Sequence, residues 1–242
     1  MKPLDSLLLL AHLAIAIALS STGCGSGGSG ATRSLPGNIM ARPNGIVGVV
    51  TVGAISSLPT ALRALGVPFE QISTEGFGKR DLTRYKTIVI DEFAFDEESL
   101  GPIYRRIMLE VKYGRTLIIL RQQEKRLPVV TGPVRRITAR EIDFGVRLTT
   151  VRRTDPMLTS PNAITRENLD SLAREARQLA SGGPTSRAII SSTTSEADRA
   201  ALLLWEPYED GAVWYLAIPI VARAAAGLEA EQKLLANLLS NK

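Results

Sequence analysis

Residues 84–120 read RYKTIVIDEFAFDEESLGPIYRRIMLEVKYGRTLIIL, and this stretch decides the fold. Its two β-branched runs, residues 87–90 and 116–120, have the continuous apolar pattern of strands that are buried on both faces of a parallel sheet. Between them, Ile103 and Ile107 belong to an apolar series at helical spacing, with charged residues on the other faces. A strand, a crossover helix and a parallel strand form one βαβ unit, so we predict an α/β fold.

The residues before this unit supply two more strands and a helix. Residues 45–52 predict a buried strand, and residues 58–65 predict a helix that Gly66 ends in a left-handed conformation. Residues 67–72 predict a second strand. Pro68 places this strand near an edge of the sheet, because proline cannot donate a hydrogen bond to a neighbouring strand.

The residues after the unit predict a more varied second half. Residues 142–151 alternate partly and indicate a strand, and residues 165–179 show the apolar spacing of a helix. The turn at Asp210 and Gly211 joins two apolar runs and predicts a β-hairpin near the C-terminus. Residues 228–239 predict an amphipathic closing helix.

Composition excludes several kinds of chemistry. The 242 residues carry a formal net charge of +5 and are 45% hydrophobic, which suits an ordinary globular core without disulfides or metals. The chain has one cysteine and one histidine, Cys24 and His12, and both precede the predicted strands. Disulfide frameworks, Cys/His zinc sites and catalysis by cysteine–histidine or serine–histidine–aspartate sets are therefore excluded from the folded part. We predict no metal and no cofactor.

The first 23 residues have the pattern of a signal peptide. Lys2 provides a basic start, residues 7–19 form a short apolar run, and small residues follow. The apolar run is shorter than a membrane-spanning helix requires. We therefore expect residues 1–23 to be an export signal and His12 to have no functional role.

Cys24 follows Gly23 directly, and this arrangement resembles the lipobox of bacterial lipoproteins, with Ser21 where that motif usually has leucine. The resemblance implies that lipid is attached to Cys24 and holds the protein on a membrane surface. The alternative is an ordinary secretory signal with an incidental cysteine. Gly25 stands in place of the aspartate that retains such lipoproteins in the inner membrane, so the resemblance points to the outer membrane of a bacterium.

A flexible segment follows the cysteine. Residues 25–30 read GSGGSG, and the sequence up to Asn44 is rich in loop-forming residues. Segments of this composition behave as flexible coil. We predict a tether over residues 24–44 and a folded domain over residues 45–242.

The carboxyl end of the predicted parallel strands is the first place to expect a ligand site, because open α/β sheets bind ligands there. Asp91 and Glu92 follow the first strand of the quoted stretch, and Arg121 and Gln122 follow the second. The carboxylates could bind a divalent cation or act as an acid–base pair in glycoside cleavage, and the arginine could bind a carboxylate or phosphate. The simpler interpretation is that the acids favour the dipole of the following helix and that the other two residues are solvated.

Three further groups of side chains are secondary candidates. Asp155 and Asn162, in a proline-punctuated loop, could bind a ligand or could brace the turns. The arginines between residues 135 and 153 could approach anionic lipid or acidic glycan, or could form a solvated strand face. Aromatic side chains of the hairpin could stack on sugar rings, although strand aromatics are more often packed in a core; they are Trp205, Tyr208, Trp214 and Tyr215.

The larger pattern is similar to a known family of domains. Residues 81–90 and 113–119, DLTRYKTIVI and YGRTLII, resemble class I glutamine amidotransferase-like domains, above all the non-catalytic ones of bacterial envelope proteins and of some PIG-L-type deacetylases. Further matching segments lie at residues 155–158, 161–165, 211–215 and 235–239. The resemblance implies a flavodoxin-like, mostly parallel sheet with helices on both faces, followed by the C-terminal hairpin and helix.

The resemblance does not extend to activity. An active amidotransferase needs a nucleophilic cysteine at a strand–helix elbow and a histidine partner, and residues 45–242 contain neither. We therefore expect a non-catalytic cell-envelope lipoprotein whose domain binds an envelope partner, a glycan or a protein, and not nucleic acid. One alternative is a structural assembly lipoprotein, and another is a hydrolase of envelope carbohydrate. The hydrolase would pair two carboxylates, one from Asp91 or Glu92 and one from Asp155 or Glu206.

Overall fold

The strands of the described residues join into one ten-stranded sheet, seen here in a computed structural model. The structure describes residues 39–51, 56–73, 81–96, 100–123, 137–142, 147–150, 153–192 and 200–241. The predicted signal peptide, Cys24 and most of the predicted tether lie outside these residues, and they stay predictions.

The bounds of the strands and helices follow in chain order. The strands are β1 (Val47–Val50), β2 (Phe69–Gln71), β3 (Thr87–Ile90), β4 (Thr116–Ile119), β5 (Thr138–Glu141), β6 (Leu148–Thr150), β7 (Gln178–Ser181), β8 (Arg187–Ser192), β9 (Ala201–Tyr208) and β10 (Gly211–Leu216). The helices are α1 (Leu58–Ala64), α2 (Leu100–Lys112), α3 (Pro156–Thr159), α4 (Arg166–Glu175), α5 (Val221–Ala225) and α6 (Glu229–Ser240).

Five strands form the parallel part of the sheet, in the order β2-β1-β3-β4-β10. β9 pairs antiparallel with β10 and continues the sheet to β7 and β5, while β8 pairs with β9 and β6. The parallel strands with their crossover helix confirm the predicted flavodoxin-like α/β fold, and β9 with β10 confirms the predicted hairpin. The antiparallel part is larger than this hairpin, because four more strands are added beyond β9.

Side chains alternate between the two faces of the parallel strands, and helices cover each face. Ile88 and Ile90 of β3 pack in one apolar cluster with the inner side chains of α2, whereas Val89 belongs to the opposite cluster. That opposite cluster contains Leu62 of α1 and Leu235 of α6. The strands are apolar without interruption because both of their faces are buried. The prediction of helices on both faces is therefore confirmed.

The first elements lie where the sequence predicts them. β1 and α1 fall within the predicted ranges, and Gly66 has a φ of 66°, as expected of a left-handed residue after a helix. β2 lies at the edge of the sheet, as Pro68 indicates.

Two predicted elements of the second half differ from the structure. The helix predicted over residues 165–179 ends at Glu175, and Leu179 lies in β7 instead. β7 forms a hydrogen-bonded ladder with β5, and this tertiary pairing outweighs the helical spacing of the sequence. Of the strand predicted over residues 142–151, the structure describes residues 142 and 147–150: β5 ends before residue 142, and β6 covers Leu148–Thr150. The rest of the predicted range lies outside the described residues.

α6 is buried on almost every side, because α3, α4 and α5 all pack against it. The four leucines of residues 234–239 face the core as predicted, but Glu231 and Asn237 are fully buried as well. Glu231 forms an ion pair with Arg223 at 2.7 Å. Among the described residues no helix, α6 included, has the length and apolar character that crossing a membrane requires.

Part of the predicted tether contacts the domain. The Met40 backbone exchanges two hydrogen bonds with the Asn162 side chain, at 3.1 Å and 2.8 Å. The Arg42 backbone N–H donates to Ser240 Oγ at 2.7 Å. The chain is therefore held against the end of α6 several residues before β1 begins.

Candidate functional site

The parallel register brings the residues after β3 and β4 together at one edge of the sheet. Ile90 pairs with Ile119, so Asp91 and Gln122 follow neighbouring strands. Gln122 Nε2 donates to the backbone oxygen of Asp91 at 2.7 Å. This edge, called the strand-end edge below, consists of Asp91, Glu92, Arg121 and Gln122 with their partners.

Asp91 is 5% exposed and its carboxylate is engaged on both oxygens. Oδ2 accepts a hydrogen bond from the Ser56 hydroxyl, and Oδ1 accepts one from Glu92 N at 2.8 Å. Ser56 Oγ in turn accepts from Leu58 N, the first residue of α1, at 3.1 Å. Burial raises the pKa of the Asp91 carboxyl above its ordinary value, and the hydrogen bonds from Ser56 and Glu92 oppose this shift.

Glu92 caps a helix from the far end of the chain. Its Oε1 accepts hydrogen bonds from Ile220 N at 2.7 Å and from Val221 N at 3.1 Å, at the start of α5. Burial raises the pKa of Glu92, and the charge of Asp91 adds to the effect, while the two backbone donors and Arg121 lower it. Asp91 and Glu92 therefore lie at helix N-termini, as the simpler interpretation expects of them. The helices are α1 and α5, however, whereas that interpretation assigned the acids to the helix that follows them, α2.

Gln122 is completely buried and its amide is fully used. Oε1 accepts from Phe95 N at 3.0 Å, and Nε2 donates to the backbone oxygens of Asp91 and Leu120, both at 2.7 Å. The Gln122 backbone oxygen accepts from Gln178 Nε2 at 2.8 Å. A side chain with this set of bonds holds strands together and has no donor left for a ligand.

Tyr215 and Gln178 extend the same network into the antiparallel part of the sheet. The Tyr215 hydroxyl donates to Gln178 Oε1 at 2.8 Å and accepts a long contact from Gln122 N at 3.4 Å. Burial raises the pKa of this hydroxyl, so Tyr215 stays neutral. Sequence reasoning missed both residues as partners of the strand-end edge, because they lie on strands that are distant in the chain.

Arg121 covers the outer side of the edge. Its Nη2 pairs with Glu141 Oε2 at 3.2 Å, and its guanidinium lies 5.4 Å from the centre of the Phe93 ring. Phe93 has a left-handed backbone, with a φ of 60°, and is 38% exposed. Phenylalanine carries no local sequence signal for this conformation, so the exposed ring at the edge was not predicted.

Asp155 and Asn162 belong to a different set of contacts. Asp155 Oδ1 accepts from Met157 N at 2.9 Å and so caps α3. Asn162 bonds to Asn237 of α6 and to the Met40 backbone. The structure therefore brings Asp91, Glu92, Arg121 and Gln122 together and places the other two candidates in bracing positions.

Glu206 lies on the opposite face of the sheet from Asp91. The strand register places Glu206 level with Ile88, three strands away and three residues before Asp91. This separation corresponds to about 10 Å along the strands and about 14 Å across them. Glu206 is opposite Val213, in the α2 cluster, whereas Asp91 bonds to Ser56 beside α1. The two carboxylates do not face each other across a pocket.

The hairpin aromatics are mainly packed residues. Trp214 is 5% exposed and Tyr215 is fully buried. Trp205 is directly opposite Trp214 in the ladder and stacks with Arg187, whose guanidinium lies 4.7 Å from the Trp205 ring centre. Within the residues that the structure describes, no group of three or more His, Cys, Asp or Glu side chains is placed to hold a metal ion.

Solved structures share this fold at low sequence identity. A cytoplasmic protein of Salmonella typhimurium is 13% identical, with a TM-score of 0.52 over 81% of this chain and 97% of that chain. A second, from Salmonella typhimurium LT2, is 12% identical, with a TM-score of 0.53 over 81% and 99%. A candidate GMP synthase component from Thermoplasma acidophilum is 11% identical, with a TM-score of 0.50 over 81% and 92%.

At these identities the similarity shows the fold alone: these solved structures share the α/β fold of this chain. No family model matches the chain, and no curated protein matches it.

Proposed function

We propose that the protein is a non-catalytic binding module with a glutamine amidotransferase-like fold, held on a bacterial envelope membrane by lipid at Cys24. The observation that carries this proposal is the closed strand-end edge. The side chains of Asp91, Glu92 and Gln122 all bond to backbone or side-chain groups of the protein itself. Groups in such bonds stabilise the fold and are not free to act on a substrate.

The residue inventory supports the same conclusion. The only cysteine and the only histidine of the chain, Cys24 and His12, precede the predicted domain, so it contains no cysteine–histidine pair. The geometry does not favour the hydrolase alternative: Asp91 and Glu206 lie on opposite faces of the sheet, and Glu92 and Asp155 accept backbone N–H groups at the starts of α5 and α3.

The location and the partner are inferred from the sequence. Lys2, the apolar run and the Gly23–Cys24 pair support export and lipid attachment, and Gly25 supports the outer membrane. The segments at residues 155–158 and 235–239 support a relationship to the domains appended to PIG-L-type deacetylases. The partner on this proposal is an envelope glycan or protein.

Lipid attachment can be tested with wild-type and Cys24→Ser chains expressed in a bacterium that is fed an alkyne-labelled fatty acid. We expect the wild-type chain to carry the label and to sediment with membranes. The variant should lose the label and become soluble. Equal labelling of both chains, or a soluble wild-type chain, would remove the anchored part of the proposal.

The absence of catalysis needs its own assay with the full chain. We expect no ammonia release from glutamine and no release of reducing ends from isolated envelope glycans. Asp91→Asn and Glu92→Gln provide the matched controls, because the hydrolase alternative requires one of these carboxylates. Turnover by the wild-type chain that either variant abolishes would establish the hydrolase instead.

A further inference from the structure

An open cavity of about 400 Å³ lies beside β6, away from the strand-end edge. This volume is within the range of small-molecule sites, about 300–1,000 Å³. The cavity is lined by residues of β6, α3, α4 and their flanking loops: Thr149, Thr150, Arg153, Leu158, Ile164, Arg166 and Leu169.

The floor of the cavity is apolar and firmly held. Leu158 is 3% exposed and Leu169 is 5% exposed, and both belong to the cluster that packs against α6. Ile164 is partly buried against the same cluster. The part of Ile164 that stays exposed is the apolar surface that a ligand with an apolar face would cover.

The rim of the cavity is basic. Arg153 is exposed and has no ion pair or hydrogen bond among the residues that the structure describes. Arg166 is fixed in place, because Nη1 donates to Leu148 O at 3.1 Å and Nη2 pairs with Asp170 at 3.1 Å. Guanidinium groups are suited to bidentate contacts with carboxylate or phosphate.

The ion pair to Asp170 does not close the site. The Arg166 and Asp170 side chains are 62% and 51% exposed, and exposed pairs of this kind contribute little to stability. A ligand anion can therefore compete for Arg166 at low cost. The half-buried Thr149 and Thr150 both line the cavity, but side chains alternate along a strand, so only Thr150, on the face of Leu148, can supply a hydroxyl group.

We propose that this cavity binds a small ligand with one anionic group and an apolar face, such as an acidic sugar, and that the anion lies between Arg153 and Arg166. The inference rests on the proposed binding function and names its ligand class. It places recognition in the cavity between β6 and α4 and not at the strand-end edge, where the side chains of Asp91, Glu92 and Gln122 already form hydrogen bonds within the protein.

The test is calorimetric titration of the full chain in detergent micelles with glucuronate, glucose 1-phosphate and glucose. We expect at least one of the two anions to bind and neutral glucose not to bind. The response to carboxylate and phosphate then tells which anion the site prefers. Binding should weaken as salt is added, because the contact is ionic.

Arg153→Gln is the diagnostic variant, and Arg174→Gln is its matched control, with the same charge change on an exposed residue of α4 outside the cavity. We expect Arg153→Gln to weaken anion binding about tenfold or more, and Arg174→Gln to leave it unchanged. Thr150→Val should weaken it by a smaller factor.

Equal weakening by both arginine variants would show general charge attraction and would overturn the site. Binding of glucose as strong as that of the anions, or no binding of either anion, would overturn it as well. None of these results bears on the Cys24→Ser labelling or the turnover assays, so failure of the site is distinguishable from failure of the proposed function.

Discussion

Asn237 and Asn162 bond to each other through both ends of the Asn237 amide. Asn237 Oδ1 accepts from Asn162 N at 3.0 Å, and Asn237 Nδ2 donates to Asn162 O at 2.7 Å. Asn237 Nδ2 also donates to Met157 O at 2.9 Å, and the Asn162 side chain bonds to Met40. One fully buried amide therefore joins the entering chain, the loop after α3 and the closing helix.

Asn237→Leu should destabilise the protein strongly. The change removes every hydrogen bond of the amide and leaves buried backbone groups of Asn162 and Met157 without partners. Each such group costs about 1–3 kcal/mol, so we expect a loss of at least about 3 kcal/mol in the free energy of unfolding. Chemical denaturation measures it. Ser240→Ala, which removes a less buried hydroxyl, should cost under about 1.5 kcal/mol; an equal loss in both variants would contradict the central role of Asn237.

Gln122→Glu should be more destabilising than Gln122→Met at pH 8. In the wild-type chain the backbone oxygens of Asp91 and Leu120 accept hydrogen bonds from Gln122 Nε2. Glutamate places a carboxylate oxygen against these two oxygens and buries a charge. Burial and these two oxygens would raise the pKa of the new carboxyl, so its ionisation cost is present at high pH and is lost as pH falls through the raised pKa. Denaturation at pH 8 and pH 5 should therefore show the two variants converging at the lower pH. A pH-independent difference would contradict this account.

Asp91→Asn should change the pH dependence of stability in a definite direction. The folded-state pKa of Asp91 is raised, so the wild-type chain loses stability as pH rises from about 4 through that raised pKa. Asparagine cannot ionise, so we expect the free energy of unfolding of the variant, relative to that of the wild type, to be higher at pH 8 than at pH 4. Unfolding free energies across this range provide the measurement.

Asp81→Asn is the control of opposite sign for that experiment. The Thr83 hydroxyl and backbone N–H donate to Asp81 and lower the pKa of its carboxyl. Its stabilising contribution is present above the ordinary pKa and is lost as pH falls through the lowered value. The free energy of unfolding of Asp81→Asn, relative to that of the wild type, should therefore be lower at pH 8 than at low pH. If the difference in unfolding free energy between variant and wild type changed with pH in the same direction for Asp91→Asn and Asp81→Asn, the opposite pKa shifts of the two carboxyls would be contradicted.

Gly211→Ala should destabilise the hairpin, and Gly101→Ala should not. A Cβ atom on Gly211 would overlap the backbone oxygens of Val111 and Arg115, whereas one on Gly101 would meet nothing within 4 Å. We expect a loss of about 2 kcal/mol or more for Gly211→Ala and a gain of about 0.5–1 kcal/mol for Gly101→Ala in α2. Thermal unfolding of the two variants is sufficient. Similar melting temperatures would mean that the turn adapts.

The parallel core could be predicted because its signals are local. The β-branched run of β3 ends directly in Asp91, so both the strand and the position of the acid follow from neighbouring residues. The end of α4 could not be predicted in the same way. Leu179 continues the helical spacing, and the pairing of β7 with β5 and β9 makes it a strand residue.

The contacts of the candidate site were not predictable for a related reason. Glu92 and its partner Ile220 are separated by 128 positions, and nothing in the local sequence of either residue indicates the other. Asn237 did carry a signal, since a single amide within the apolar run of residues 234–239 is expected to need a buried partner. The identity of that partner, Asn162, requires the packing of α6 against α3.

The hydrogen bond between Arg42 N and Ser240 Oγ holds the first and last parts of the folded domain next to each other. A linker of a few residues could join these two positions, and a cut in an exposed loop elsewhere would create a circular permutant that keeps every strand pairing of the sheet. The order in which the elements are translated could then be changed independently of the structure they form.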